Sequence, residues 1–136
     1  YYESNFKSEP NHYPPLIHKI IEEGMTISAI AYTKAQKIRS EFRSNLQETL
    51  SNFPVLLTPS TPSSAPKDLT TTGDKSFQAP WTTAGVPTIN IPSGIDTLGL
   101  PLGIQLLSGW NEETSLLSTA DWCEKTLGSI PSPPID

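Results

Sequence analysis

Cysteine is almost missing: one residue, Cys123, in a chain of 136 excludes an internal disulfide. The sequence also lacks an N-x-[ST] sequon, so nothing favours an oxidising, secreted setting, and a reducing cytoplasm is the expected location. There is no run of eighteen apolar residues, and the opening YYESNFKSEP has neither a basic n-region nor an apolar h-region. Neither a membrane span nor a leader is expected. Positive charge is in deficit, with 9 Lys+Arg against 14 Asp+Glu and a net charge of -5. That balance provides no electrostatic reason to expect nucleic acid or an anionic membrane as a partner, and a small or uncharged ligand fits better. No two glycines are adjacent and no G-x-x-x-x-G-K-[ST] or G-x-G-x-x-G occurs, which argues against a phosphate cradle. At 35% hydrophobic residues, the chain is lean for a self-sufficient core.

Proline, by contrast, is abundant: 14 residues, about twice the average usage of about 5%. The prolines avoid two long segments, 16–53 and 102–130, which are therefore the helical candidates. Pro14 and Pro15 suit a helix start, Leu16, Ile17, Ile20 and Ile21 follow at helical spacing, and Gly24 is expected as a left-handed C-terminal cap. Thr26 or Ser28 then caps a longer helix with apolar positions Ala31, Ala35, Ile38, Phe42, Leu46 and Leu50. Its basic side, Lys34, Lys37, Arg39 and Arg43, reads as a solvated face interrupted by Glu41 and Glu48.

Val55-Leu56-Leu57 suits a short buried strand, after which the Pro/Ser/Thr alternation to residue 66 leaves as a stiff loop. Residues 68–76 are polar and turn-rich. Residues 88–91 alternate like a strand, Ser93-Gly94 marks a bend or bulge, and residues 102–107 make a second strand. Together they predict an antiparallel hairpin, apolar on both faces, with a loose tip around Asp96. Asn111 is expected to cap a last helix whose stripe is Leu116, Ala120, Cys123 and Leu127, and Gly128 stops it. The order predicts an α/β or α+β layered fold with a mixed sheet, one domain over 1–130 and a disordered tail over 131–136.

The residues form no complete catalytic set. Ser-x-x-Lys occurs at 4–7 and 64–67, but that spacing aligns a serine and a lysine only on a helix turn, and Pro66 opposes one there. Ser93 lies outside any G-x-S-x-G elbow and reads as a turn hydroxyl. His12 and His18 have no patterned acid or cysteine partner and form a poor metal site, and Cys123 reads as a buried thiol. Gln105, alternating in a strand, reads as a satisfied buried amide. No catalytic residue, metal or cofactor is assigned.

At LLTPSTPSSAP (56–66), APWTTAGVPTINIPSG (79–94) and GLPLGIQLLSGWNEETSLL (99–117) the sequence resembles the C-terminal part of the amidase signature family, with the blocks in family order and spacing. Residues 1–42 more loosely resemble the two helices ahead of the first block. The resemblance implies an α/β fold in which the two hairpin strands are neighbours in a large central mixed sheet flanked by helices. It further implies hydrolysis of a small linear carboxamide by a serine nucleophile, a second serine on a cis peptide bond and a lysine base. All three lie upstream of the matched region, so the chain alone is expected to be inactive. The N-terminal catalytic half of the same amidase is the expected partner, in the same or a separate chain, and a homo-oligomer remains open. The loop over residues 77–82 is expected to approach the substrate, with Phe77 and Trp81 as apolar walls and Gln78 and Thr82 orienting a polar group. For Trp81, a core role and a ligand contact are both open. Two other readings stand: a non-catalytic binding or structural module, and the amidase subunit of a tRNA-dependent amidotransferase. That subunit usually carries an acidic residue and an asparagine at positions where this chain has Lys75 and Thr82.

Overall fold

The computed structural model describes residues 3–128; the tail expected over 131–136 lies outside the described residues. The chain divides into two compact units between Ser40 and Glu41, and the boundary falls within one long helix.

The first unit is helical. Helix α1 (Glu3–Ser8), not expected from the sequence, is followed by a 3-10 turn (Pro10–His12), α2 (Pro15–Thr26) and the start of α3 (Ala29–Asn52). Pro15 opens α2 as expected, because the first turn needs no donor from its nitrogen. Gly24 does not end it. The helix continues to Thr26, whose hydroxyl donates to the Glu23 carbonyl at 2.8 Å, and Gly24 stays outside the left-handed region. Of the two proposed caps for α3, Ser28 serves: its Oγ accepts the Ala31 N–H at 3.1 Å. Phe6 is buried against His18 and Tyr13, with ring centroids 4.6 and 5.6 Å away. The apolar stripe of α2 is uncovered within this unit, with Leu16, Ile17 and Ile20 all exposed, as are Ile30 and Ile38 of α3.

The second unit is built on a three-stranded sheet in the order β1-β3-β2, comprising β1 (Val55–Pro59), β2 (Thr88–Ile95) and β3 (Pro101–Ser108). Both pairings are antiparallel, with Leu56 and Thr88 opposite Leu107, and Leu57 and Ile89 opposite Leu106. The expected hairpin is present, and its register shifts between Pro92 and Gly94, where the sequence predicts a bulge. Its tip is tied rather than loose. Asp96 accepts the N–H groups of Leu98 at 2.8 Å and Leu100 at 2.9 Å. The Ser64 hydroxyl, and then the Leu100 N–H, hold its carboxyl below the ordinary value.

Leu106 and Leu107 are adjacent, so they point to opposite faces, and both are buried. Leu106 packs with Ile91 against Leu116 and Ala120 of α5 (Glu113–Leu127). Leu107 packs against Leu46 and Leu50 of α3 and against Ala84 and Val86. The expected cover on both faces is therefore real for this half of β3. At the start of α5, Asn111 is not the cap: it takes the left-handed conformation (φ 66°) that turns the chain out of β3, and Glu112 occupies the cap position. Gly128 ends the helix at φ 79°, its N–H donating to the Glu124 carbonyl.

The segment expected as a loop over 77–82 is largely α4 (Ala79–Ala84), with Pro80 in its first turn and Gly85 left-handed behind it. The Ala84 carbonyl, in the last turn, has no acceptor role left within the helix. Arg43 Nη1 donates to it at 2.5 Å and Trp110 Nε1 at 3.3 Å, while the Arg43 guanidinium lies 4.5 Å from the Trp110 ring centroid. Arg43 thus leaves the solvated face the sequence suggested and joins α3, α4 and the end of β3.

Leu107→Ala should cost about 2–5 kcal/mol in urea unfolding of the chain, against under ~1 kcal/mol for Leu57→Ala at an exposed position. Arg43→Met, which retains a long apolar stem but no donor, should cost about 1–3 kcal/mol in the same measurement.

Candidate functional site

The sheet face that carries Leu107 changes character along its length. Cross-strand partners share a face, so Leu56, Leu107 and Thr88 form one row, and the row next to it is Thr58, Gln105 and Asn90. The first packs under α3 and α4; the second is polar throughout. Beyond it Gly103 faces Pro92, and the Ser60 N–H donates to the Gly103 carbonyl at 3.1 Å.

Over these two outer rows lies a cavity of about 500 Å³, within the range of small-molecule sites. Its floor includes Asn90, Gly103 and Gln105, and its wall is the Pro/Ser/Thr loop after Ser60 together with Gln78. The stiff backbone of that loop is fixed at one end by the strand and farther along by Ser64, which bonds Asp96. The Ser60 hydroxyl donates to Asn90 Oδ1, and Gln78 Nε2 donates to the Ser60 carbonyl at 3.3 Å. Gly103 is required by closeness rather than by φ: a Cβ there would sit 2.6 Å from Asn90 Oδ1 and 2.9 Å from Ser60 Oγ.

Two groups in the polar row have no hydrogen-bond partner. Gln105 is 6% exposed and its Nε2 is enclosed without an acceptor, and Thr58 Oγ1 is likewise unpaired. The expectation of a satisfied amide at Gln105 is thereby corrected for its nitrogen: its cross-strand neighbours on this face are Thr58 and Asn90, and neither accepts from it, Asn90 Oδ1 receiving the Ser60 hydroxyl instead.

Of the four residues expected to meet substrate, Gln78 lines the cavity, whereas Phe77, Trp81 and Thr82 do not. Phe77 is partly exposed before α4, and Thr82 is exposed on it. Trp81 packs on the Leu107 cluster beside Phe42, ring centroids 6.3 Å apart, with its Nε1 enclosed and unpaired. Ser4 and Lys7 do share a helix turn, but Lys7 bonds Glu3 at 2.5 Å. Residues 64–67 are not helical. Among the described residues no three His, Cys, Asp or Glu side chains are grouped to hold a metal ion, and no helix is long and apolar enough to cross a membrane. Sequence reasoning missed Ser60, Asn90 and Gly103; the period-two register of the two blocks was the signal that could have aligned them.

Gly103→Ala should separate Ser60 from Asn90 and cost about 1–3 kcal/mol. Thermal unfolding would measure the loss, and the Asn90 side-chain amide resonances should move with it.

Residues 3–117 match the family model described as Amidase. The chain is 38% identical over 96 residues to a glutamyl-tRNA(Gln) amidotransferase subunit of Pelagibacter ubique, an alignment covering 65% of this chain and 20% of that protein. It spans about a fifth of the length of the curated relatives it matches. Its fold superposes on a crystal structure of an amidase with a TM-score of 0.82 at 26% identity, covering 93% of this chain and 32% of that one. The corresponding glutamyl-tRNA(Gln) amidotransferase subunit from Thermotoga maritima gives 0.56 at 25% identity, covering 84% and 28%. With the three sequence blocks folded as one hairpin sheet flanked by helices, and a family match over most of its length, the chain belongs to the Amidase family, the amidase signature family its blocks resemble.

Proposed function

We propose that this chain is the C-terminal portion of an amidohydrolase that hydrolyses a small linear carboxamide to the acid and ammonia or an amine. The observation that carries the reading is a cavity of small-molecule size, floored by the polar row, in a chain of the Amidase family. The chain supplies sheet, scaffold and pocket wall, with Gln78 as the substrate-facing residue and Trp81 holding α4 from the core. The nucleophile, its partner serine and the lysine base belong to an upstream N-terminal half, and by itself this chain is inactive. The exposure of Leu16, Ile17, Ile20, Ile30 and Ile38 supports that division, because large apolar side chains left in water are what a completing segment covers.

A second reading, the amidase subunit of a tRNA-dependent amidotransferase, is favoured by the names of the curated relatives. Lys75 and Thr82 oppose it, standing where that branch usually carries an acidic residue and an asparagine.

The complete reading frame that contains this chain should release ammonia from small carboxamides, and a serine-reactive phosphonate should label it upstream of Tyr1. Labelling at Ser64 or Ser93 would overturn the assignment, as would turnover by residues 1–136 alone. Amidation of glutamyl-tRNA(Gln) without release from small carboxamides would select the second reading.

A further inference from the structure

We propose that Arg43 is a positioning residue for the carboxamide site: by holding the C-terminal end of α4 it sets where Gln78 stands in the cavity wall. The inference rests on the carboxamide reading of the cavity and on Gln78 as its substrate-facing residue.

Gln78 lines the cavity and Arg43 does not. Between them lies α4, a helix of six residues, about 9 Å long. So short a helix moves as one body, because bending it would break a large share of its few hydrogen bonds. Its far end carries the carbonyl of Ala84, a fully buried residue. A buried carbonyl left without a donor is costly, and Arg43 Nη1 supplies a charged one at 2.5 Å. The Trp110 indole N–H, at 3.3 Å, is the weaker of the two donors, and the Trp110 ring in turn seats the guanidinium. Both donors also flank the turn behind the helix. A Cβ on Gly85, at φ 75°, would lie 3.5 Å from Arg43 Nη1 and 3.9 Å from Trp110 Nε1.

The near end of α4 is held less firmly. Gln78 directly precedes Ala79, and its Nε2 reaches the Ser60 carbonyl at 3.3 Å. That is longer than the usual ~2.7–3.2 Å, so a further ~0.3 Å separates the pair. Without Arg43 the Ala84 carbonyl regains a full complement of donors by turning toward water, and the helix carries Gln78 with it. The effect of Arg43 on a ligand is therefore indirect, and it must pass through Gln78.

The test is ammonia release from acetamide and benzamide by the complete enzyme. Arg43→Met should raise KM roughly tenfold with kcat little changed, because Gln78 binds rather than reacts. Trp110→Phe, which keeps a ring and loses the donor, should move KM the same way by less. Arg43→Lys, which keeps a charged donor, should recover most of the loss. In a Gln78→Met background Arg43→Met should add less than about twofold, since the contact it serves is gone. Leu116→Ala, in the cluster on the opposite face of the sheet, should destabilise at least as much and leave KM alone. A full tenfold increment in the Gln78→Met background would overturn the proposal, as would an equal KM rise in Leu116→Ala or an unchanged KM in Arg43→Met. Where Arg43→Met does not fold, Trp110→Phe with and without Gln78→Met makes the same comparison. Hydrogen–deuterium exchange of the peptide over residues 78–86 in the complete protein gives a readout independent of turnover. It should be faster in Arg43→Met and near the parental rate in Arg43→Lys, and exchange in Arg43→Met equal to the parent's sinks the assignment. If the parent enzyme releases no ammonia from either amide while exchange behaves as expected, the hydrolytic reading fails and the positioning of Gln78 by Arg43 stands.

Discussion

The structure of the second unit depends on one strand being buried on both faces. Because adjacent side chains of β3 point to opposite sides, Leu106 and Leu107 can be enclosed together only if each side of the sheet has its own cover. Helix α5 provides one and the α3/α4 layer the other. With Leu107 fixed, the two-residue period leaves Gln105 no choice of side. It must enter on the α3/α4 face, beyond the reach of the apolar cluster, and a polar row results where a shorter strand would simply have ended.

The second organising contact is the Ala84 carbonyl. A six-residue helix is too short to be stable through its own hydrogen bonds, and Gly85 turns away immediately behind it. Two donors from remote parts of the chain, Arg43 and Trp110, converge on the carbonyl the helix leaves unused. Their convergence sets where α4 sits, and so where Gln78, just before it, meets the Ser60 backbone. The pocket wall is in this sense an outcome of how a helix terminus is satisfied.

Much of this architecture was legible in the sequence. Pro15, Ser28 and Gly128 punctuate helices as their local chemistry demands, and Ser93-Gly94 marks the bulge because pairing cannot continue through it unchanged. What stayed hidden depends on partners distant in sequence. Arg43 looks like one member of a basic stripe until Ala84 is brought beside it, and α4 looks like a loop because its stabilising donors lie outside the segment. Asn111 has the composition of a cap but spends its conformational tolerance on a left-handed turn. The stripe on α2 and early α3 has helical periodicity, but periodicity records only that a face is apolar, and among the described residues Ile17, Ile20 and Ile38 are uncovered. Of the site, Gln78 was legible from its block, whereas Gln105 changed meaning once the register set it between Thr58 and Asn90.

The strand order also divides the entropy cost of closing the sheet unequally. Ile95 meets Pro101 around a short tip tied by Asp96, a closure with little entropy to lose, whereas Val55 must find Ser108 across most of the second unit. Closing the β2–β3 arm therefore costs little chain entropy, and pairing β1 costs more. Since Thr58 belongs to β1, the polar row beneath the cavity is complete only when the costlier of the two pairings is made.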